Sequence, residues 1–237
     1  MDVAVLVDII KETDKNWRFI FESPLYDRIN FISGQLVQLS IPDEEDKGYY
    51  HKRNYSIASW PDGTNRFELI ITYLEKGRFS ELLFKNSKIG DEFLYKGPMG
   101  IFTLPEILTR DVYFVSTGSG ISPFRSMLNY IAENKVPTGK LKLFFGTRTE
   151  KDIVYYEEMK RLEKAIPNFE YVPVLSREVW DGAMGYVHDH YIPLVDKAES
   201  KPLIYYCGWK GMIDEGRSLL KERGFKLGED IRVEIFG

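Results

Sequence analysis

The chain has 237 residues, 43% of them hydrophobic and 14% aromatic, enough to bury one large domain or two smaller ones. A formal net charge of -4, with no long block of like charges, argues against a nucleic-acid footprint and against a basic membrane-surface helix. The single cysteine, Cys207, excludes an internal disulfide, a four-cysteine zinc site and an iron–sulfur cluster held on the chain's own thiolates.

In chain order, "MDVAVLVDIIKETDK" opens with an acid and a short apolar run. It lacks both the charge order of a signal peptide and the length of a membrane span, so a cytoplasmic protein is expected. Runs rich in β-branched and aromatic residues follow: "VAVLVDII", "WRFIFES", "QLVQLSI", "NYSIAS", "FELIITYL" and "EFLYKGP". Pro, Gly, Asp and Asn separate them, as in a small antiparallel barrel. "EEDK" at 44–47 reads as an exposed hairpin or loop. The junction "GPMGIFTLPE" marks a boundary, giving a β-barrel over 1–104 and an α/β unit over 105–237. In the second unit "VYFV", "KLKLFFG", "FEYVPVL", "PLIYYCG" and "IRVEIF" alternate with helical periodicity. Phe124, Met127, Leu128 and Ile131 form one such stripe, and Tyr155, Met159, Leu162 and Ile166 another, which predicts a parallel sheet with helices.

Four stretches carry candidate chemistry. In "VSTGSGISPF", Gly118 and Gly120 permit a tight strand-to-helix turn, and Pro123 suits a first helical position. Free amides there would suit a pyrophosphate, although the same residues also suit a bare glycine-rich turn. In "RNYS", strand alternation puts Arg53 and Tyr55 on one face about 7 Å apart and Ser56 on the other. Either an anionic, ring-bearing ligand or an Arg stem lying on a Tyr would use that pair. In "GRFSELLF", Gly77 allows close approach and Ser80 reads as an N-cap. Near the C-terminus, Cys207 and Gly208 end a parallel strand, where open α/β sheets bind ligands, and Glu234 and Phe236 share a face of the last strand. His188 and His190 alternate as a surface strand pair would, and with no accompanying ligand motif no metal site is expected.

In order and spacing, "RNYSIAS", "GRFSELLF", "GDEFLYKGPMGIFTL", "VSTGSGISPFRSM", "YYCGWKGMIDEG" and "VEIFG" resemble the successive motifs of the ferredoxin–NADP reductase superfamily. The resemblance implies a six-stranded antiparallel FAD-binding barrel followed by a parallel-sheet α/β nicotinamide-dinucleotide domain. It implies that Arg53 neutralises the FAD pyrophosphate, Tyr55 stacks on the isoalloxazine with Ile71 and Tyr73 near the ring, and Ser56 bonds the reactive ring nitrogen. Gly77, Phe79 and Ser80 would present amides to the pyrophosphate. Thr117, Gly118, Ser119, Gly120 and Pro123 would cradle that of NAD(P), and Cys207 with Gly208 would lie against nicotinamide. Ser56, Cys207, Glu234 and Phe236 would surround the hydride-transfer site, with Phe236 covering the flavin until nicotinamide displaces it.

The implied activity is an FAD-dependent NAD(P)H oxidoreductase exchanging single electrons with a separate carrier, such as ferredoxin or flavodoxin. A free-flavin reductase and a flavin-binding subunit of a larger complex are the alternatives. Ser176 and Arg177 resemble the pair that grips the 2'-phosphate of NADPH, Arg148 adds a second cation, and Tyr186 lies close by in sequence. Asp152 would repel that phosphate, and "TEKDI" resembles NADH-dependent members. Two guanidinium groups outweigh one exposed acid, so NADPH is favoured over NADH by a small margin. Trp209 and Lys210 depart from the prolines common in the family, and Ser116 and Gly237 are smaller departures.

Overall fold

The computed structural model describes residues 1–42 and 50–235. Its N-terminal part is a six-stranded antiparallel sheet built from β1 (Asp2–Lys11), β2 (Asn16–Glu22), β3 (Leu36–Pro42), β4 (Tyr50–Ser56), β5 (Arg66–Thr72) and β6 (Glu92–Met99). The strand order is β4-β3-β6-β1-β2-β5. Alternate residues face inward, so Phe19, Phe21, Leu39, Phe67 and Leu69 fill one core. The two edge strands meet just past β4, where the Ala58 N–H donates to the Glu68 carbonyl at 2.8 Å. Between β5 and β6 the chain forms a short helix, α1 (Arg78–Glu81), which runs into a π turn over Leu82–Asn86.

The second part is an all-parallel sheet of β7 (Val112–Thr117), β8 (Leu141–Thr147), β9 (Phe169–Leu175), a two-residue β10 (Ala183–Met184), β11 (Leu203–Gly208) and β12 (Ile231–Ile235). The order β10-β9-β8-β7-β11-β12 reverses direction between β7 and β11. Both sheet faces are covered, and the strands divide their side chains by parity. Val112 and Phe114 join α2 (Ser122–Asn134) and α3 (Tyr156–Ala165) on one face. Tyr113 and Val115 join α4 (Val187–Lys197) and α5 (Lys210–Glu222) on the other. Each such fully buried apolar side chain contributes roughly 1.5–3 kcal/mol. Ala58, just past β4, and Ile70 of β5 pack in the same core as α2, so the two parts share one hydrophobic interior.

Two local expectations are corrected. Ser80 is not an N-cap: the helix starts two residues earlier with Gly77 at its cap, and the Ser80 hydroxyl instead accepts the Leu74 N–H at 3.1 Å. His188 and His190 lie on α4, not on a strand. His188 is buried, with Nδ1 2.8 Å from the Tyr191 hydroxyl, and burial pushes its imidazole below the usual range. Among the described residues no group of three or more His, Cys, Asp or Glu side chains is placed to hold a metal ion, and no helix is long and apolar enough to cross a membrane. "EEDK" at 44–47, together with Phe236 and Gly237, lies outside the described residues.

Candidate functional site

In open α/β sheets ligands gather at the carboxyl ends of the strands flanking the reversal in order, here Thr117 of β7 and Gly208 of β11. The chain passes there at backbone contact. A Cβ on Gly120 would fall 2.2 Å from the Cys207 carbonyl oxygen, and one on Gly208 would fall 2.5 Å from the Thr117 hydroxyl. That hydroxyl accepts the Trp209 N–H at 3.0 Å. Gly120 is therefore demanded by the chain's own crossing strand. Gly118 differs: its φ is +56°, and its missing Cβ faces only the Thr72 hydroxyl of β5, 3.9 Å away. Ser119 and Gly120 continue a 3-10 turn over Gly118–Ile121 that feeds α2, with Pro123 in the first turn of the helix.

Three sequence-expected residues from three strands converge beside this turn. Cys207 stands in register with Glu234 on the neighbouring β12 and with Ser116 on β7. Ser56, the last residue of β4, donates its hydroxyl hydrogen bond to Glu234 Oε2 across the junction of the two parts. Burial pushes the Glu234 carboxyl up to about 7, although the Ser56 hydrogen bond opposes the rise. Cys207 is fully buried; burial and then the Glu234 charge hold its thiol well above the usual range, so it is neutral. A neutral thiol and a carboxyl that titrates near neutrality can bound a site where charge changes, without adding a fixed anion to it.

On the barrel side, Leu36, Gln38, Lys52, Arg53, Asn54, Glu234 and Ile235 line a groove of about 280 Å³. Arg53 is exposed, its guanidinium bonded to the Lys52 carbonyl at 3.0 Å. Tyr55 is half-buried and braced edge-on by Phe79, centroid to centroid 6.1 Å. Ile71 faces the barrel core. Tyr73, just beyond β5, turns to the segment after it: its hydroxyl donates to Glu81 at 2.7 Å, and its ring lies 5.3 Å from that of Phe84.

At the far end of the parallel sheet, Thr149, Glu150, Lys151, Arg177 and Glu178 line a cleft of about 660 Å³. The loops after β8 and β9 are tied here: the Arg177 N–H donates to the Arg148 carbonyl at 3.0 Å, and the Ser176 hydroxyl to the Thr147 carbonyl at 3.2 Å. Glu178 escaped the reading of the sequence. Its carboxylate accepts the Glu150 N–H at 2.7 Å and adds a negative charge to the cleft that holds Arg177. Also missed was Arg125, inside the quoted "GISPFRSM" stretch; it is 4% exposed and spans the two parts of the molecule. The signal was an acid, Glu68, in the apolar strand run "FELII", which requires a cation to meet it.

A barrel carrying an aromatic and a cation, docked on a parallel sheet whose reversal point holds a glycine turn, is the frame of a two-domain flavin and nicotinamide protein. Models for an oxidoreductase FAD-binding domain and an oxidoreductase NAD-binding domain match residues 4–104 and 114–217. The chain is 35% identical over 198 residues to ferredoxin–NADP reductase B of Sorangium cellulosum, covering 81% of this chain and 79% of that one. It is 31% identical over 201 residues to the anthranilate 1,2-dioxygenase electron transfer component of Acinetobacter baylyi, covering 83% of this chain but 55% of that protein, about half of its length. The solved structure of a ferredoxin NADP+ reductase from Neisseria gonorrhoeae with bound FAD and NADP has the same fold, with a TM-score of 0.81 at 21% identity over 98% of this chain and 97% of that one. The chain belongs to the ferredoxin–NADP reductase superfamily of FAD- and nicotinamide-dependent oxidoreductases.

Proposed function

We propose that the protein moves a hydride between nicotinamide and FAD and exchanges single electrons with a separate carrier protein such as a ferredoxin or flavodoxin. Residues 1–104 form the FAD unit in this reading and 105–237 the nicotinamide unit. The observation that carries it is the meeting of Ser56 with Glu234 and Cys207 at the mouth of the 117–120 turn. The residues present fit the two groups. Arg53 offers a cation for a pyrophosphate, Tyr55 a braced ring for a planar heterocycle, and the open face at Gly118 an approach for a second pyrophosphate. Gly77, Phe79 and Ser80 would support the first pyrophosphate from α1. Bound FAD supplies the conversion between two-electron and one-electron chemistry. The chain's own groups orient and protect: Ser56 directs a hydroxyl, Glu234 holds or releases a proton at Oε2, and Cys207 closes the site to water with an uncharged wall.

Anaerobic stopped-flow absorbance of the FAD-loaded protein, mixed separately with NADPH and NADH, tests this reading. Rapid bleaching by one nucleotide is expected, and no bleaching by either would overturn it. Arg53→Ala should weaken FAD binding roughly ten- to a hundredfold, the loss of one charge-assisted hydrogen bond. Fluorescence titration checks this, and wild-type affinity in the variant would remove Arg53 from the flavin site.

The nucleotide is NADPH, supported by Arg148 and Arg177 lying on adjoining loops with hydrogen-bonded backbones. A second reading, NADH, is favoured by the Glu178 carboxylate in the Arg177 cleft. Arg177→Ala separates them: for an NADPH enzyme KM for NADPH rises roughly ten- to a hundredfold while KM for NADH is little changed. Equal effects on both nucleotides would exclude a 2'-phosphate contact. The reading as the electron-transfer subunit of a larger assembly has one support, the similarity to part of a longer dioxygenase electron transfer component.

A further inference from the structure

A buried polar cluster lies away from the hydride site. Glu68 of β5 and Arg125 of α2 are both buried, at 6% and 4% exposure. Arg125 Nη1 donates to the Ala58 carbonyl at 3.0 Å and to Glu68 Oε1 at 3.1 Å, while its Nε donates to Glu158 Oε1 at 2.8 Å. Arg18 grips Glu68 with two bonds of 2.8 Å, and the Tyr155 hydroxyl adds a third at 2.6 Å. The Arg125 guanidinium lies over the Tyr155 ring at 4.4 Å and the Trp60 ring at 5.4 Å. Burial alone would raise the Glu68 carboxyl, but the two guanidinium groups outweigh it and hold the carboxyl below its ordinary range. Two cations thus face three acids: Arg125 meets Glu68 and Glu158, and Arg18 meets Glu68 and, at 3.6 Å, the less buried Glu12.

The placement of this cluster gives it a reach beyond stability. Arg125 sits in the first turns of α2, directly after the Gly118–Ile121 turn. Its acceptor Ala58 lies two residues beyond Ser56, and its partner Glu68 lies on the strand that ends at Thr72, opposite Gly118. One rigid strand therefore touches the nicotinamide-side helix at Arg125 and the nicotinamide-side turn at Gly118, roughly 13 Å apart along β5. Arg125 is the buried cation of a junction that the Tyr155–Glu68 and Ser56–Glu234 hydrogen bonds and a shared apolar core also hold, and contacts so separated fix an angle rather than a pivot. We propose that Arg125 is a positioning residue: its bonds from α2 to Ala58 and Glu68 across the junction, braced within its own unit by Glu158, set the angle between the two units, and so the distance over which hydride passes. The inference rests on the proposed reading of the two cofactor sites. A lysine would not reproduce it, because its three donors splay from one nitrogen, whereas Arg125 donates from Nε and Nη1, two separate atoms of a plane that also lies against two rings.

The test compares wild type with Arg125→Met, Arg125→Lys and Glu68→Gln, each FAD-loaded and mixed anaerobically with NADPH and with NADH. The limiting rate of flavin reduction in Arg125→Met should fall about 10²-fold, the effect of a displacement of about 1 Å, with FAD content and nucleotide affinity held within about twofold. Arg125→Lys and Glu68→Gln should fall between, and they carry the comparison should the Met variant not fold. Hydrogen exchange on the FAD-free proteins gives a readout without catalysis. Amides of 57–60 and 122–129 should exchange faster in the variants, while those of β1 and β12 stay unchanged. Limiting rates within twofold of wild type, or rate losses that follow lost FAD alone, would overturn the inference. A wild-type flavin that neither nucleotide reduces would instead overturn the oxidoreductase reading, leaving the exchange pattern to judge the bridge.

Discussion

Glu234→Gln is expected to slow reduction of bound FAD by about 10²-fold while leaving FAD bound, and to erase an inflection near pH 7 from the rate profile. The variant keeps the shape of the side chain and a hydrogen-bonding partner for Ser56, so packing is preserved, but it can no longer take up or release a proton. Stopped-flow reduction across pH 5–9 measures both effects, and an unchanged rate with an unchanged profile would remove Glu234 from the chemistry. The raised carboxyl also fixes the sign of a stability effect. Between the ordinary value of 4.5 and about 7, the folded protein holds a proton that the unfolded chain has released. This contribution to stability is therefore fully present below the ordinary value and is lost as pH rises through about 7. Denaturant unfolding of the FAD-free protein should show that loss, on the order of 2–3 kcal/mol, and Glu234→Gln should flatten it.

Gly120→Ala should destabilise the protein by roughly 3 kcal/mol, lowering Tm by roughly 6–12 °C. The new methyl group would sit 2.2 Å from the Cys207 carbonyl oxygen and 2.7 Å from the Gly208 α-carbon, both backbone atoms of a central strand that has no free volume to yield. Relief requires β7 and β11 to separate at their carboxyl ends. Nicotinamide affinity should therefore fall further than FAD affinity, since the turn proposed to take the nicotinamide dinucleotide is the part displaced. Calorimetry with paired ligand titrations decides the matter, and wild-type Tm would show that the strands are looser than their spacing implies.

The strands were legible in the sequence wherever burial imposed a pattern. "FELIITYL" and "VYFV" carry runs that only a sheet core explains, and the two helical stripes at 124–131 and 155–166 match α2 and α3. Strand β4 was legible only in part: its first five residues, "YHKRN", include no buried one and lack apolar alternation. Helix α4 was hidden because "VHDH" alternates over four residues, too few to separate a period of two from one of 3.6. The helix cap was misplaced because Ser80 resembles a cap chemically, although the chain had already turned at Gly77. Arg125 and Glu68 were invisible as a pair, since their burial follows from docking two units 57 positions apart in the chain, which no local pattern records. Of the candidate site, Ser56 and Glu234 are hydrogen-bonded and Cys207 is in register with Glu234, while Glu178 did not announce itself.

The side chains proposed to surround the hydride and those proposed to read the nucleotide stand on different kinds of backbone. Ser56, Cys207 and Glu234 are strand residues locked by ladder hydrogen bonds, whereas Arg148, Glu150, Arg177 and Glu178 follow the ends of β8 and β9. Loops accept replacement and change of length that strands do not. On the proposed reading, the choice of electron donor can drift, or be redesigned, by exchanging two short connections while the redox centre is inherited intact.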